Sequence, residues 1–286
     1  MYIPHSVRML KRRIFKSRDG ERIIRQRYFE FHGRELDLTC GHTFTDKLYR
    51  RMIEVNKSGN ATFTRLADKY LVRDYVRDKI GSSHLVPLLW SGTDPSKIPF
   101  DDLPQKCLAK TNHGSGHNVL IEQPVDRSAV VEELRRRLAQ NYYWVLREYH
   151  YFKISPRVLI EEFLEIDRGW PLDYRIWCFD GKPEVIQISN HARNINPFYD
   201  LEWNRSTLHY RDPGITQDLP RPGNLGEMLS VAARLSEGFD FVRVDMYSVG
   251  GKTYFGEMTF MPAAGMLRLI PEEWEARLGE KWNYSL

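Results

Sequence analysis

The sequence predicts an α+β fold, and three observations carry that prediction. Extended, apolar-rich segments follow one another in pairs and triples, so the strands pair antiparallel in sets and not as a doubly wound sheet. Single helical stretches separate those sets. The last set, FVRVDMYSVGGKTYFGEMT at 241–259, reads as a hairpin whose arms are 241–247 and 253–259, with Gly250-Gly251 as the turn.

Each element follows from its local pattern. Residues 5–34 read as mainly helical and basic, and 45–58 as a second helix. From 64 to 80, Leu66, Tyr70, Leu71, Tyr75 and Val76 recur at helical spacing until Gly81 stops the helix. A short strand at 85–90 precedes SGTDPSKIPFDDLP, a Pro- and Asp-rich connector suited to a subdomain boundary. Strands at 106–110 and 119–122 flank KTNHGSGHN. A strong helix spans 128–148 with Ser128 at its cap, and strands follow at 157–164, 174–179 and 182–189. Residues 190–224 are irregular, and a loop that long in a compact domain is usually functional. A helix at 225–237 leads into the hairpin. The expected organisation is a basic, mostly helical region at 1–63, one subdomain at 64–163 and a second at 164–286.

Composition narrows the class. The chain has 286 residues, 42% apolar and 13% aromatic, which is ample for a core. Cys40, Cys107 and Cys178 are widely spaced, so neither a disulfide framework nor a zinc site is expected, and a reducing compartment is. No apolar run approaches the ~20 residues of a membrane span. Lys11-Arg12-Arg13 lacks the apolar stretch of a secretory signal. The expectation is a soluble, cytoplasmic protein. The net charge of +4 is uneven: residues 1–34 hold ten Lys or Arg against three acids. Such a segment suits an anionic membrane face, an acidic polymer or simply a solvated helix, and no nucleic-acid signature accompanies it.

The hairpin carries the sharpest chemistry. A two-residue connection alone would set Asp245 and Glu257 on opposite faces. A three-residue, glycine-bulged loop sets Arg243, Asp245, Glu257 and Thr259 on one face, with Val242, Val244, Met246, Tyr254 and Met258 on the other. One-sided burial selects that second register. Two carboxylates so close call for a cation, and hard oxygens suit Mg²⁺ shared with phosphates. The bland alternative is a solvated face whose acids pair with Arg243 and Lys252.

Lys110 closes a strand and is followed by Thr111-Asn112-His113-Gly114-Ser115-Gly116-His117-Asn118. Glycines let backbone amides turn toward phosphate oxygens, and the lysine adds positive charge. The loop is neither a Walker A sequence nor GxGxxG, so it also reads as an ordinary hairpin turn. His113 and His117 suit general bases, phosphate donors or surface histidines. Glu161 and Glu162 must point to opposite faces of their strand. Asp173 and Arg175 share a face with Trp177 beyond them, and Arg175 suits either an anion or a salt bridge. Arg193, Trp203 and Arg205 read as a substrate lip or as cover for apolar surface.

In order, Lys110 with its glycine loop, EEFL at 161–164, DYR at 173–175, RVD at 243–245 and GEMTFMPAAG at 256–265 resemble an ATP-grasp nucleotide site over roughly residues 66–266. DKYLVRDYV, AKTNHGSGHN and PRVLIEEFL are similar to the TupA-like branch, associated with bacterial cell-surface polysaccharide and polypeptide biosynthesis. The resemblance implies an ATP-grasp fold in which two α+β subdomains clasp ATP. Lys110 would meet the α/β-phosphates under the loop Gly114-Ser115-Gly116, with His113 beside it. Backbone around Glu162 and Leu164 would read adenine, with Glu161 nearby. Asp173 would take the ribose or orient Arg175, and Lys69 matches a lysine near the nucleotide.

By the same resemblance, Arg243 would contact the transferring phosphate, while Asp245 and Glu257 would hold Mg²⁺. The usual E-x-N ending becomes Glu257-Met258-Thr259, which puts a hydroxyl where an amide ligand is expected. The implied activity is an ATP-dependent carboxylate–amine ligase forming an acyl phosphate and then an amide. Arg175 and Arg193 would hold a carboxylate such as a uronic acid glycan, and an amine or amino acid would be the second substrate. The remaining readings are an ATP-grasp phosphotransferase, a nucleotide-sugar glycosyltransferase (disfavoured by the lack of a DxD) and a degenerate nucleotide-binding scaffold.

Overall fold

The computed structural model describes residues 20–284 apart from Cys40, His117, Arg168 and 211–217. The basic stretch before residue 20, Lys11-Arg12-Arg13 included, lies outside the described residues. The helices in chain order are α1 (Gly20–His32), α2 (Phe44–Ser58), α3 (Ala61–Ala67), α4 (Val72–Ile80), α5 (Arg127–Leu138), α6 (Tyr143–Leu146), α7 (Leu225–Ser236) and α8 (Glu273–Lys281). The strands are β1 (Leu88–Gly92), β2 (Lys106–Thr111), β3 (Asn118–Glu122), β4 (Val158–Glu162), β5 (Asp173–Phe179), β6 (Lys182–Ser189), β7 (Phe198–Tyr199), β8 (Phe241–Val249) and β9 (Lys252–Thr259).

Two antiparallel sheets result, one of four strands in the order β1-β4-β2-β3 and one of five in the order β7-β6-β5-β8-β9. The architecture is α+β, as the strand grouping predicts. The chain divides into two compact units that interleave along the sequence. Among the described residues, one comprises 20–27, 51–72 and 87–163, and the other 28–50, 73–86 and those from 164 on.

In the first unit the four-stranded sheet buries Cys107, Ala109, Val158 and Ile160 against Val130 and Leu134 of α5. In the second unit Phe44, Trp177, Phe241 and Trp282 form an aromatic cluster with ring centroids 4.8–5.8 Å apart. The rings meet tilted or edge-on, not as face-to-face sandwiches, as their quadrupoles favour.

Two helices differ from expectation. The 64–80 helix is interrupted, because Asp68 ends α3 and its carboxylate accepts from the Tyr70 and Leu71 amides. A side chain that captures backbone donors competes with helix continuation. The 128–148 helix stops at Leu138, where the Asn141 side chain accepts from the Tyr143 amide and starts a separate short turn. Its cap is Asp126, which accepts from the Ala129 amide, and not Ser128. No described helix is long and apolar enough to cross a membrane.

Candidate functional site

The candidate residues fall into two groups, one in each unit. In the first unit, β2 and β4 run side by side with Leu108 opposite Glu161 and Lys110 opposite Leu159. Lys110 Nζ reaches back along this face to Glu161 Oε2 at 2.8 Å. Glu161 is buried while Glu162, one residue on, is exposed on the other face, and the Glu162 amide donates to the Pro87 carbonyl at 3.0 Å. Leu164 follows the strand end and is half-buried.

The loop after Lys110 is clamped at its root. The Asn112 amide group donates to Asp68 Oδ1 and to the Ser155 carbonyl, both at 3.0 Å, while Asn112 Oδ1 accepts from the Arg157 amide at 2.7 Å. Lys69 Nζ donates to the Gly114 carbonyl at 2.7 Å, and the Lys69 amide donates to the Asn112 carbonyl. Lys69 therefore sits on the loop itself. His113 is turned inward: Nε2 lies 2.9 Å from the Gln140 carbonyl and Nδ1 3.3 Å from Asn112 Oδ1. Burial pushes its pKa below the ordinary histidine value. His113 thus braces the loop from inside and is not a surface histidine. Ser115 and Gly116 are outward, Gly116 with a left-handed φ of +72°, and His117 lies outside the described residues.

In the second unit, strand pairing lines polar groups into rows on one face of the five-stranded sheet. Gln187, Arg175, Asp245 and Glu257 are direct partners across β6, β5, β8 and β9. The next row is Trp177, Arg243 and Thr259. Arg243 forks onto Asp245, with Nε to Oδ1 at 2.7 Å and Nη2 to Oδ2 at 2.6 Å, and also donates to the Thr259 hydroxyl at 3.2 Å. Glu257 Oε1 is 3.8 Å from Arg243 and accepts from the Thr259 hydroxyl at 3.2 Å. Arg175 pairs with Asp173 at 2.8 Å, so Asp173 orients this guanidinium. Burial pushes the Asp245 carboxyl up to about 6 against the pull of Arg243 and Arg175.

The acids share a face for a reason other than the three-residue loop expected. The turn has two residues, Gly250 and Gly251, both with positive φ (59° and 75°), joining Val249 to its partner Lys252. Positive φ at both positions suits a type I′ hairpin turn. Parity is restored in β9, where pairing skips Gly256 between Phe255 and Glu257. A Cβ at Gly256 would stand 2.9 Å from the Asp245 carbonyl oxygen, so the bulge requires glycine. One side chain also changes place: Phe255, not Tyr254, faces inward with Met246, and Tyr254 pairs with Tyr247 on the polar side.

Arg193 sits exposed on a turn with φ +56° and is not brought into these rows. Trp203 stacks on Tyr199 at 4.4 Å and its indole donates to the Leu219 carbonyl, while Arg205 lies over the same Tyr199 ring. Trp203 and Arg205 thus lie against the buried Tyr199 ring.

A family model described as TupA-like ATPgrasp matches residues 46–283. The chain belongs to this family. By that membership it has the ATP-grasp fold and is an enzyme of the ATP-dependent ligase class. No curated protein matches the sequence at a significant level.

Among solved structures, the chain is similar to a D-alanine–D-alanine ligase from Helicobacter pylori (15% identity, TM-score 0.48, covering 85% of this chain and 70% of that one). It is also similar to the Bacillus anthracis D-alanine–D-alanine ligase complexed with ATP (16%, TM-score 0.42, 77% and 68%). A third is N5-carboxyaminoimidazole synthetase from Staphylococcus aureus (14%, TM-score 0.41, 69% and 44%).

In this ATP-grasp chain no group of three or more His, Cys, Asp or Glu side chains is gathered among the described residues. The donor set on the sheet face is two opposed carboxylates and a hydroxyl. Hard oxygens of this kind fit Mg²⁺ when phosphates and water complete its shell. Both Asp245 oxygens are held by Arg243, whereas Glu257 is a third exposed and is the more accessible ligand.

Sequence reasoning missed Asp68, Asn112, Gln187 and Asn196, which hold these groups in place through hydrogen bonds. Only the DKY and KTN strings hinted at the first two.

Proposed function

We propose that this chain is an ATP-dependent carboxylate–amine ligase. Its carboxylate substrate would be a uronic-acid-bearing cell-surface glycan or precursor, to which it attaches an amine or amino acid. The observation that carries the proposal is the row Arg175–Asp245–Glu257 with Arg243 beside it, two cations and two acids on one sheet face.

The chemistry follows from what such groups stabilise. The γ-phosphoryl group passes to a carboxylate oxygen: the bond from Pγ to the β-bridging oxygen breaks, a new O–Pγ bond forms, and ADP leaves. The amine nitrogen then attacks the acyl carbon, phosphate leaves, and the amine loses a proton. Arg243 offsets charge on the transferring group, which is strongest where water is excluded. Mg²⁺, held by Asp245 and Glu257 with Thr259 beside them, would supply further charge stabilisation on the phosphates.

Lys110 and the loop Gly114–Gly116 are the candidates for the phosphates, with Glu161, Glu162 and Leu164 for the base. Breaking the Lys110–Glu161 pair would free the ammonium for a phosphate oxygen. Arg175, held by Asp173, and Arg193 are the candidates for the carboxylate. The basic stretch 1–34 suits an acidic polymer or the cytoplasmic face of an anionic membrane.

The test is binding of ATP, GTP and UDP-sugars with and without Mg²⁺, by calorimetry. Selective, Mg²⁺-dependent ATP binding that disappears in Lys110→Ala supports the reading. A UDP-sugar response without ATP binding sinks it and favours a glycosyltransferase.

A further inference from the structure

Hydrogen bonding on the polar face of the second sheet runs in one forced direction. The Trp177 indole N–H can donate but never accept, and it donates to Gln187 Oε1 at 3.1 Å. Gln187, fully buried, is thereby fixed: its Nε2 donates to Asn196 Oδ1 at 2.6 Å and to the Tyr210 hydroxyl at 2.9 Å. Reversing the Gln187 amide would set two donors against each other at Trp177. Asn196 must therefore present its oxygen to Gln187 and turn Nδ2 the other way.

That Nδ2 is buried without a hydrogen-bond partner, in a residue only 8% exposed. A second donor is in the same condition. Arg175, whose strand partner is Gln187, has its Nε buried and without a hydrogen-bond partner, 3.7 Å from Asp245 Oδ2. Buried donors are rarely left unpaired, because desolvation without a partner is costly. Two such donors flank one glutamine, and neither finds a hydrogen-bond partner within the protein.

We propose that Asn196 Nδ2 and Arg175 Nε together grip the carboxylate of the acceptor substrate, and that Asn196 sets the preference for an acidic acceptor. The inference rests on the ligase reading above and deepens it. An ionised carboxylate is acceptor-only with two oxygens, which matches two donors that have no hydrogen-bond partner of their own. The charge of Arg175 strengthens the grip, since hydrogen bonds between ionised partners are the stronger kind.

The test titrates D-glucuronate, with D-glucose as its uncharged counterpart, into the full-length chain and its Asn196→Asp and Asn196→Ser variants. Mg²⁺-ATP is titrated separately into each. Glucuronate but not glucose should bind the wild type. Asn196→Asp should weaken glucuronate about tenfold or more, the loss of one charge-assisted hydrogen bond. Asn196→Ser, which removes the donor without adding a negative charge, should lose less. ATP should still bind both variants, which shows that they are folded. Equal glucuronate affinity in all three chains, or none in the wild type, overturns the proposal. A loss confined to ATP would assign the donor to the nucleotide and overturn it too. Wild-type chain that binds glucuronate but no ATP would instead sink the ligase reading alone.

Discussion

Asp245 and Glu257 face each other across β8 and β9 only because pairing skips Gly256. The bulge leaves no room for a methyl group, with 2.9 Å to the Asp245 carbonyl oxygen. Gly256→Ala must shift the strand that carries Glu257. It should cost about 1–3 kcal/mol of stability, as overpacking does, and lower ATP turnover at least tenfold. Thermal unfolding and turnover measured together check both; unchanged turnover would mean the acids need not oppose each other.

Glu257→Gln should behave differently. The side chain is a third exposed and its main partners are Thr259 and Arg243, so folding stability should change by less than about 1 kcal/mol. Turnover should be lost and not rescued by raising Mg²⁺. Near-normal turnover would remove Glu257 from the site.

Lys110→Ala should abolish ATP binding but also destabilise, since it removes the cation paired with the buried Glu161 carboxylate. Breaking one side of a buried pair costs about 3–5 kcal/mol. Adding Glu161→Gln should recover much of that stability without recovering ATP binding. If ATP binding returned in the double variant, Lys110 would be a structural partner of Glu161 only.

Mg²⁺-dependent ATP binding should weaken as pH falls through about 6, where burial places the Asp245 titration. The sign follows from the carboxylate: protonation removes both the counter-charge of Arg243 and an oxygen ligand. The loss should be gradual from pH 7 to 5, and calorimetry at fixed ionic strength reads it. A profile flat across that range would show that Asp245 does not titrate there or does not serve the metal.

The acids of the hairpin were legible because alternation and one-sided burial leave few registers. Where the extra residue sits was not, because periodicity cannot locate a bulge; a glycine inside a strand, Gly256, was the available sign. Helix breaks at Asp68 and Asn141 escaped because side-chain capture of backbone amides is not periodic either. His113 illustrates a different limit. Its position beside glycines suggested an exposed ring, whereas the Gln140 carbonyl, 27 residues away in sequence, draws it inward. Gln187 and Asn196 depend on tertiary pairing across β6 and the irregular segment, which no local pattern encodes.

The clamp around Asn112 sets a lever arm. With Asn112 tied to Asp68, Ser155 and Arg157, and Gly114 tied to Lys69, only four residues from Gly114 remain before β3 begins at Asn118. Out and back, a segment of that length extends about 7 Å at most. It is long enough to drape a run of phosphates and too short to enclose a sugar, so any shielding of a bulky acceptor must be supplied by other parts of the chain.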